Sequence, residues 1–262
     1  MRENKVRTIA AAGGAVINGW LGIPSSFAAE VMAHTGFDSL TIDMQHGAMY
    51  YDVALPMLQA ISTTNVTPLV RVPWNEPGII GKILDAGSYG IICPMINNRA
   101  ETEAFVRACK YPPVGSRSNG PTRARYYSGG DYATGANDTI VAMAMVETAE
   151  AVANLDAILS TPGLDGIYVG PADLSISLKN SMPPDPMGAQ VTEVIKQIAQ
   201  ACKRHGIIAG IHCMSNQHAL DMISFGYQFV TLQSDTAFLA AQASASVAAV
   251  RGGEAKASPK MY

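Results

Sequence analysis

Eight strand-like runs alternate with eight helical patterns along this chain of 262 residues. Each run is short and almost wholly apolar, as parallel strands covered on both faces are. Strands that are each followed by a helix predict an α/β fold, a single (β/α)8 TIM barrel over residues 1–262. The alternative is a doubly wound sheet, which usually has fewer strands, and no G-x-G-x-x-G motif opens the first helix. The predicted strands are 15–20, 39–43, 67–72, 90–95, 141–147, 166–170, 207–212 and 228–233.

The helical patterns have the length and spacing expected of helices that cover a barrel. The last of them is rich in alanine, so it can pack closely, either against the barrel or between subunits. The predicted helices are 25–34, 52–63, 77–87, 99–109, 149–159, 189–205, 216–225 and 236–250.

Charge and cysteine usage exclude several classes of function. The net charge is -3, so the sequence predicts no nucleic-acid-binding surface. No run approaches the ~18 apolar residues of a membrane span. The four cysteines show no C-x-x-C spacing, and the N-terminus does not look like a secretion signal. We therefore expect reduced thiols and a cytoplasmic protein.

The most informative stretch is GIYVGPADLS at 166–175. Its apolar half suits a buried strand, which Gly170 and Pro171 end without requiring another ladder donor. Asp173 then lies among the exposed backbone amides at the start of a short helix. Such a turn suits a metal ion at the carboxylate and an anionic ligand at the amides. The alternative is an ordinary helix cap after a strand.

Polar side chains follow several predicted strands, at the end where a barrel places its chemistry. Glu147 and Asp173 follow neighbouring strands, so both carboxylates can converge on one cation such as Mg²⁺ or Mn²⁺. Arg71 can bind a carboxylate or stabilise an enolate oxygen, and His46 can exchange protons near neutral pH. No lysine follows a predicted strand, which argues against a Schiff base. These groups fit metal-assisted enolisation of a small 2-oxo acid. For each of them, a helix cap, a salt bridge or a solvated side chain is the alternative.

One connection, residues 111–137, is too long for a simple barrel loop. It carries three prolines, five glycines, four tyrosines and the arginines at 117, 123 and 125. Connections of this length are often functional, and arginine with tyrosine is common at protein interfaces. We expect either a loop that borders the site, of this subunit or a neighbour, or a structural excursion.

Six motifs resemble the HpcH/HpaI aldolase family of class II, metal-dependent pyruvate aldolases. The resemblance runs from about Trp20 to Asp235. The family is a (β/α)8 barrel, in agreement with the strand count. The motifs are SLTIDMQH at 39–46, VRVPWN at 70–75, CPM at 93–95, YPPVGSR at 111–117, VET at 146–148 and VGPADLS at 169–175.

The resemblance implies a role for each matching residue. Glu147 and Asp173 would bind a divalent metal ion (Mg²⁺, Mn²⁺ or Co²⁺), and Arg71 would stabilise the enolate oxygen. His46 would relay protons with a metal-bound water, and Asp85 would pair with the histidine of a neighbouring subunit. The pyruvate would be held at the turn from Gly170 through Pro171, Ala172 and Asp173, by the amides of the last two. Trp20 would border the pocket.

The resemblance also implies the reaction: cleavage or formation of a 4-hydroxy-2-oxo acid from pyruvate, or hydroxypyruvate, and an aldehyde. Oxaloacetate decarboxylation through the same enolate and a non-catalytic oxo-acid-binding barrel are the alternatives. Members commonly assemble as hexamers, trimers of dimers, with an exchanged C-terminal helix. This chain departs from the family at Gln45, where glutamate is frequent, at Met145, where glutamine is frequent, and at His212, where the family is mostly apolar. We expect His212 and the loop at 117–127 to bind substrate and to select the aldehyde acceptor.

Overall fold

Eight parallel strands close into a barrel in chain order, with β8 pairing back onto β1. The computed structural model describes residues 1–179 and 181–253. It confirms the predicted (β/α)8 barrel; residues 180 and 254–262 of the predicted domain lie outside the described residues. The strands are β1 Val16–Leu21, β2 Ser39–Asp43, β3 Thr67–Arg71, β4 Gly90–Cys93, β5 Val141–Val146, β6 Gly166–Val169, β7 Ile208–His212 and β8 Phe229–Ser234.

The helices surround this barrel, and several begin at a residue whose side chain accepts a main-chain amide, as Ser25 and Thr148 do. The predicted helix at 149–159 is two helices that meet at Asn154. The described helices are α1 Lys5–Ala11, α2 Ser26–Ala33, α3 Tyr51–Ile61, α4 Pro77–Asp85, α5 Arg99–Cys109, α6 Ala124–Ser128, α7 Tyr132–Thr139, α8 Ala149–Ala153, α9 Leu155–Leu159, α10 Pro171–Lys179, α11 Ala189–His205, α12 Asn216–Ser224 and α13 Asp235–Arg251.

Side chains fill the barrel interior from one end to the other. Val6 of α1 belongs to this interior cluster and closes the end where the strands begin. Near that end, Asp165 binds both Arg7 and the buried Lys110, with N–O distances of 2.5 and 2.8 Å. Trp20 and Tyr168 belong to the same cluster. These two ion pairs therefore lie at the end where strands begin, and the opposite end remains for chemistry.

One of the two expectations for the connection at 111–137 was a loop that borders the site. The connection does not border this chain's own site. It joins the end of α5 to the start of β5, and both lie at the end where strands begin. Two of its three arginines contact the end of α4: Arg117 binds Asp85 at 2.6 Å, and Arg123 donates to the Ala86 carbonyl at 2.6 Å. Within one chain the segment is therefore a structural excursion, which includes α6 and most of α7.

The alanine-rich C-terminal helix is present as α13. Asp235 is its buried residue and ties it to the barrel, because its carboxylate accepts the amides of Gly22 and Ile23. Leu239 and Val247 are more than half exposed. The four cysteines are free thiols, as expected. Between residues 1 and 253, leaving out residue 180, no helix has both the length and the apolar character needed to cross a membrane.

Candidate active site

One small cavity opens where the strands end, and it gathers residues that lie far apart in the sequence. All seven expected substrate-binding residues share it, together with Met145, noted above as a departure from the family, and two residues that the sequence did not single out. Its lining consists of Trp20, Arg71, Met145, Tyr168, Gly170, Pro171, Ala172, Asp173, His212 and Met214.

Arg71 is fixed on the cavity wall by Asp43. The two residues are register partners on β2 and β3, and the guanidinium donates through Nε (2.9 Å) and Nη2 (2.6 Å) to both carboxylate oxygens. Burial alone would raise the pKa of Asp43, yet Arg71 and the amides of Gln45 and His46 hold that pKa below its ordinary value. Trp20 donates to Asp43 at 3.2 Å, and its ring lies 4.8 Å from the guanidinium carbon. A buried bidentate pair of this kind orients the guanidinium rigidly.

Glu147 is a buried carboxylate beside the cavity, with only 2% of its surface exposed. Its Oε1 accepts the amide of Met95 at 2.8 Å, and Met95 has a left-handed backbone conformation (φ 55). Burial raises the pKa of Glu147 to about 7; the Met95 bond opposes this, and the nearby charge of Asp173 adds to it. A raised pKa in a cleft is typical of a functional carboxylate.

We expect Glu147→Gln to stabilise the metal-free protein at pH 8 and to do so far less at pH 5. The native state holds a proton on Glu147 between its ordinary pKa of 4.5 and about 7, so its contribution to stability falls as pH rises through that window. Above pH 7 the full cost of the buried charge is present, about 3 kcal/mol. Urea unfolding in the presence of a chelator measures the difference. An equal gain at both pH values would contradict the raised pKa.

Gly170 provides the space between Glu147 and the turn that follows β6. Its carbonyl accepts the amide of Leu174 at 3.0 Å, so α10 begins here, and the first-turn amides of Ala172 and Asp173 have no partner within the helix. A Cβ at Gly170 would lie 2.7 Å from Glu147 Oε2 and 3.2 Å from Met145 Cε. A side chain at this position would therefore displace the Glu147 carboxylate from its observed place.

Gly170→Ala is expected to weaken binding of Mg²⁺ or Mn²⁺ about tenfold, because the methyl group would displace the Glu147 carboxylate. Calorimetric titration of the metal-free protein measures this affinity. Gly130→Ala is the matched control, since a Cβ at Gly130 meets nothing within 4 Å. Unchanged metal affinity in Gly170→Ala would show that metal binding does not require the observed position of the Glu147 carboxylate.

His212 lies at the end of β7, with its ring perpendicular to Trp20 and 5.3 Å from it. Its Nδ1 is 3.1 Å from the Tyr168 hydroxyl, which in turn donates to Thr231 at 2.8 Å. Burial, with a further contribution from the charge of Arg71, lowers the pKa of His212 to about 4. The ring is therefore neutral at pH 7.

Besides Glu147, which lies beside the cavity, two expected site residues are not part of its lining. His46 is exposed in the loop after β2, where its backbone amide donates to Asp43 at 3.2 Å. Asp85 ends α4, at the opposite end of the barrel, and binds Arg117 of its own chain. A contact between Asp85 and a histidine would thus require a second subunit. Beside His46, Gln45 has a buried side-chain oxygen with no hydrogen-bond partner among the described residues.

Sequence reasoning missed Asp43 as the partner of Arg71 and Tyr168 as a member of the cavity wall. Asp43 and Arg71 lie at the ends of two predicted strands that are neighbours, and that placement was the available signal for Asp43. Tyr168 was interpreted as one more apolar strand residue, because its hydroxyl contacts only become visible once β6, β7 and β8 are placed side by side.

The donor set fits a hard divalent cation. Glu147 and Asp173 provide carboxylate oxygens, and burial of Glu147 beside a second acid favours a positive charge between them. Within the described residues, no group of three or more His, Cys, Asp or Glu side chains is gathered for a metal ion. Two carboxylates with the remaining positions left to substrate and water is the arrangement usual for Mg²⁺.

Comparison with known proteins identifies the relatives of this barrel. The family model described as HpcH/HpaI aldolase/citrate lyase matches residues 19–241. The chain is 40% identical over 248 residues to a hydroxypyruvate/pyruvate aldolase of Rhizorhabdus wittichii, covering 95% of this chain and 99% of that protein. It is 37% identical over 264 residues to a 4-hydroxy-2-oxo-heptane-1,7-dioate aldolase of Escherichia coli, covering 99% and 100%.

A solved structure agrees with these relatives. An HpcH/HpaI aldolase/citrate lyase family protein from Burkholderia cenocepacia superposes with a TM-score of 0.88 at 30% identity, covering 94% of this chain and 98% of that one. The likeness therefore extends over nearly the whole barrel.

Proposed function

Because this chain belongs to the HpcH/HpaI aldolase/citrate lyase family, we propose that it is a metal-dependent aldolase. It forms or cleaves 4-hydroxy-2-oxo acids, with pyruvate or hydroxypyruvate on one side and an aldehyde on the other. The observation that carries the proposal is the cavity in which a fixed guanidinium, Arg71, faces the Gly170–Asp173 turn beside the buried Glu147.

The turn binds the oxo acid by its carboxylate. The first-turn amides of Ala172 and Asp173 point out of the start of α10, where anions are stabilised by the helix dipole. This leaves the ketone oxygen towards Arg71. In the cleavage direction the C3–C4 bond breaks, its electrons move into the C2–C3 bond, and negative charge develops on the ketone oxygen. Arg71 stabilises that charge without rearranging, because Asp43 already holds it in place.

His46 is the residue we propose for proton transfer. Its position in the loop after β2, at the end of the barrel where the cavity opens, supports a role in which it takes the proton of the 4-hydroxyl as the C3–C4 bond breaks and returns it in the synthetic direction. Asp85 of a second subunit would orient this histidine. The exposed apolar residues of α13, Leu239 and Val247, support a homo-oligomer in which this helix is covered by another copy, such as a hexamer.

Glu147 and Asp173 would hold the divalent metal ion, for which we propose Mg²⁺, Mn²⁺ or Co²⁺. When bound, the ion supplies a Lewis acid that lowers the free energy of the enolate. The protein's own contribution is to keep both carboxylates beside the oxo-acid cavity and to bury Glu147 away from bulk water, which strengthens the electrostatic effect of that carboxylate.

The test is proton exchange in the absence of any aldehyde. Metal-loaded protein incubated with pyruvate in deuterium oxide is expected to exchange the methyl protons, followed by loss of the proton NMR signal. Chelator-treated protein is the control. If calorimetry confirms that metal is bound and the methyl protons still do not exchange, an enolate mechanism is contradicted.

A further inference from the structure

Asn97 lies in the loop between β4 and α5, outside the cavity lining. Its Nδ2 donates to the Met95 carbonyl at 3.1 Å, and its Oδ1 accepts the Thr148 hydroxyl. Met95 provides the amide that binds Glu147, and Thr148 directly follows Glu147 in the chain. One side chain therefore connects the two segments that meet at the buried carboxylate.

Donor and acceptor roles leave one orientation for the Asn97 side-chain amide. A carbonyl only accepts, so the group that faces Met95 must be the NH2. The amide oxygen then faces Thr148, whose hydroxyl donates its one proton to Asn97. A lone pair of the same hydroxyl accepts the amide of Ala151 at 3.0 Å. The two side-chain contacts are therefore mutually consistent, and an alanine at position 97 would remove both.

The backbone of Asn97 is held independently of its side chain. Its amide donates to Glu101 Oε2 at 2.7 Å, and its carbonyl accepts Asn154 Nδ2 at 2.9 Å. Both contacts remain possible when the side chain is shortened to alanine. A variant at this position therefore tests the side-chain contacts in a loop that stays anchored.

Met95 is the residue on which this link acts. Within 1–179 and 181–253 it is the only residue other than glycine with a positive φ, at 55°. A residue with a side chain adopts this region at a cost in free energy, so surrounding contacts must hold it there. One contact holds each peptide group that flanks the Met95 Cα: Glu147 accepts the amide, and Asn97 donates to the carbonyl. Without the second contact, Met95 is free to return to a commoner conformation and turn its amide away from Glu147.

The Met95 amide decides which Glu147 oxygen remains for a cation. It occupies Oε1, while Oε2 lies 2.7 Å from the position that a Cβ on Gly170 would take. Oε2 is therefore the oxygen beside the turn that carries Asp173. The last side-chain torsion of a glutamate has a broad, shallow energy profile. Without the Met95 bond, the carboxylate would rotate and Oε2 would no longer be held beside the turn.

We propose that Asn97 is a positioning residue for the metal site. It holds the Met95 peptide against Glu147 and so keeps Glu147 Oε2 beside the turn that follows β6. This inference rests on the proposed function, because that function assigns Glu147 and Asp173 to a divalent cation. Removing a side chain that orients a metal ligand without touching the ion lowers metal affinity by roughly 10–100-fold.

The first test is calorimetric titration of the metal-free protein with Mn²⁺. Asn97→Ala is expected to weaken Mn²⁺ binding about tenfold. Asn98→Ala is the matched control, because the Asn98 side chain caps α5 by accepting the Glu101 amide at 3.0 Å. It should lower the thermal stability and leave Mn²⁺ affinity unchanged. Unchanged affinity in Asn97→Ala overturns the proposal. An equal loss in Asn98→Ala also overturns it, since any weakening of the loop would then have the same effect.

Thr148 allows the link to be cut from its other end. Thr148→Val removes the hydroxyl and is expected to weaken Mn²⁺ binding about threefold, a smaller loss because the contact from Asn97 to Met95 remains. This variant also loses the cap of α8, and Asn98→Ala shows what the loss of a helix cap does by itself. Thr148→Ser restores a hydroxyl and should regain the lost affinity. Binding by Thr148→Ser that is as weak as in Thr148→Val overturns the link.

The second test follows the Met95 amide and needs no metal. An amide that donates to a carboxylate makes a short, strong bond, so its proton resonates downfield and exchanges slowly with solvent. In ¹H–¹⁵N NMR spectra of the metal-free protein, Asn97→Ala is expected to move the Met95 signal upfield and to raise its exchange rate about tenfold. Asn98→Ala should leave the position of the signal unchanged. A Met95 signal that is the same in Asn97→Ala as in the wild-type chain overturns the proposal.

The outcomes separate this inference from the proposed function. If the wild-type chain binds Mn²⁺ and exchanges pyruvate protons, an unchanged affinity in Asn97→Ala overturns the role of Asn97 and leaves the aldolase mechanism standing. If the wild-type chain binds none of Mg²⁺, Mn²⁺ and Co²⁺, both the proposed function and the role of Asn97 are overturned.

Discussion

Asp173→Ala is expected to abolish metal-dependent exchange of pyruvate protons, with a loss of about a thousandfold or more in kcat/KM. Asp173 lies at the third position of α10, exposed at the mouth of the cavity. Its removal leaves Glu147 as a single buried carboxylate, which is a poor site for a divalent ion. Its backbone amide remains, so carboxylate binding should weaken much less than catalysis.

The effect should be chemical and not structural, because an exposed side chain contributes little to packing. Metal affinity by calorimetry, exchange by proton NMR and thermal unfolding of the metal-free protein form the measurement. Asp156→Ala is the matched control, since it removes the same charge from an acid that is 77% exposed on α9. Wild-type exchange in Asp173→Ala would refute its assignment as a metal ligand.

Arg71→Lys is expected to lower kcat/KM for exchange by about 10²–10³, although the positive charge is kept. Lysine cannot reproduce the two parallel bonds that Nε and Nη2 make to Asp43. Its ammonium group would be drawn to one Asp43 oxygen, and the developing enolate charge would lose an oriented partner. Exchange rates with pyruvate, measured at saturating metal, give the loss.

Asp43→Asn separates the anchoring of the guanidinium, which Asp43 provides, from the positive charge, which Arg71 provides. It leaves the guanidinium in the cavity wall but removes one of its two anchoring oxygens, so a smaller loss of about tenfold is expected. Losses of equal size in Arg71→Lys and Asp43→Asn would mean that Arg71 serves only as a structural partner of Asp43. Both variants need a thermal unfolding measurement, because breaking a buried pair also lowers stability.

The strands were predictable because burial on both faces leaves an unbroken apolar run, as in β5, where all six residues are buried. The helix α1 was not, since its seven residues bury only Val6 and Ala10 and show no long periodic pattern. For the segment 111–137 the sequence left a site-bordering loop and a structural excursion as alternatives, for a topological reason. Its composition suggested a site, but composition does not say at which end of the barrel a loop lies.

The cavity also shows that a sequence pattern does not say which side chains meet in space. Arg71 and His212 were identified from the sequence because each ends an apolar strand, and strand ends are where a barrel exposes side chains. Their partners were not, because the link from Arg71 to Asp43 and from His212 to Tyr168 depends on register and on side-chain direction across neighbouring strands. Family resemblance supplied the roles of Glu147 and Asp173, for which the residues alone left a helix cap as an alternative.

The pairing of β8 with β1 has a consequence for how this chain acquires activity during synthesis and refolding. Trp20 stands on β1 and reaches its neighbours only when β1 is held between β2 and β8. The first and last strands are more than 200 residues apart, and contacts of such sequence separation form late. During refolding, recovery of the pyruvate methyl-proton exchange activity should therefore lag behind recovery of the helical circular dichroism signal. The time course of this activity would then report closure of the barrel by the pairing of β1 with β8.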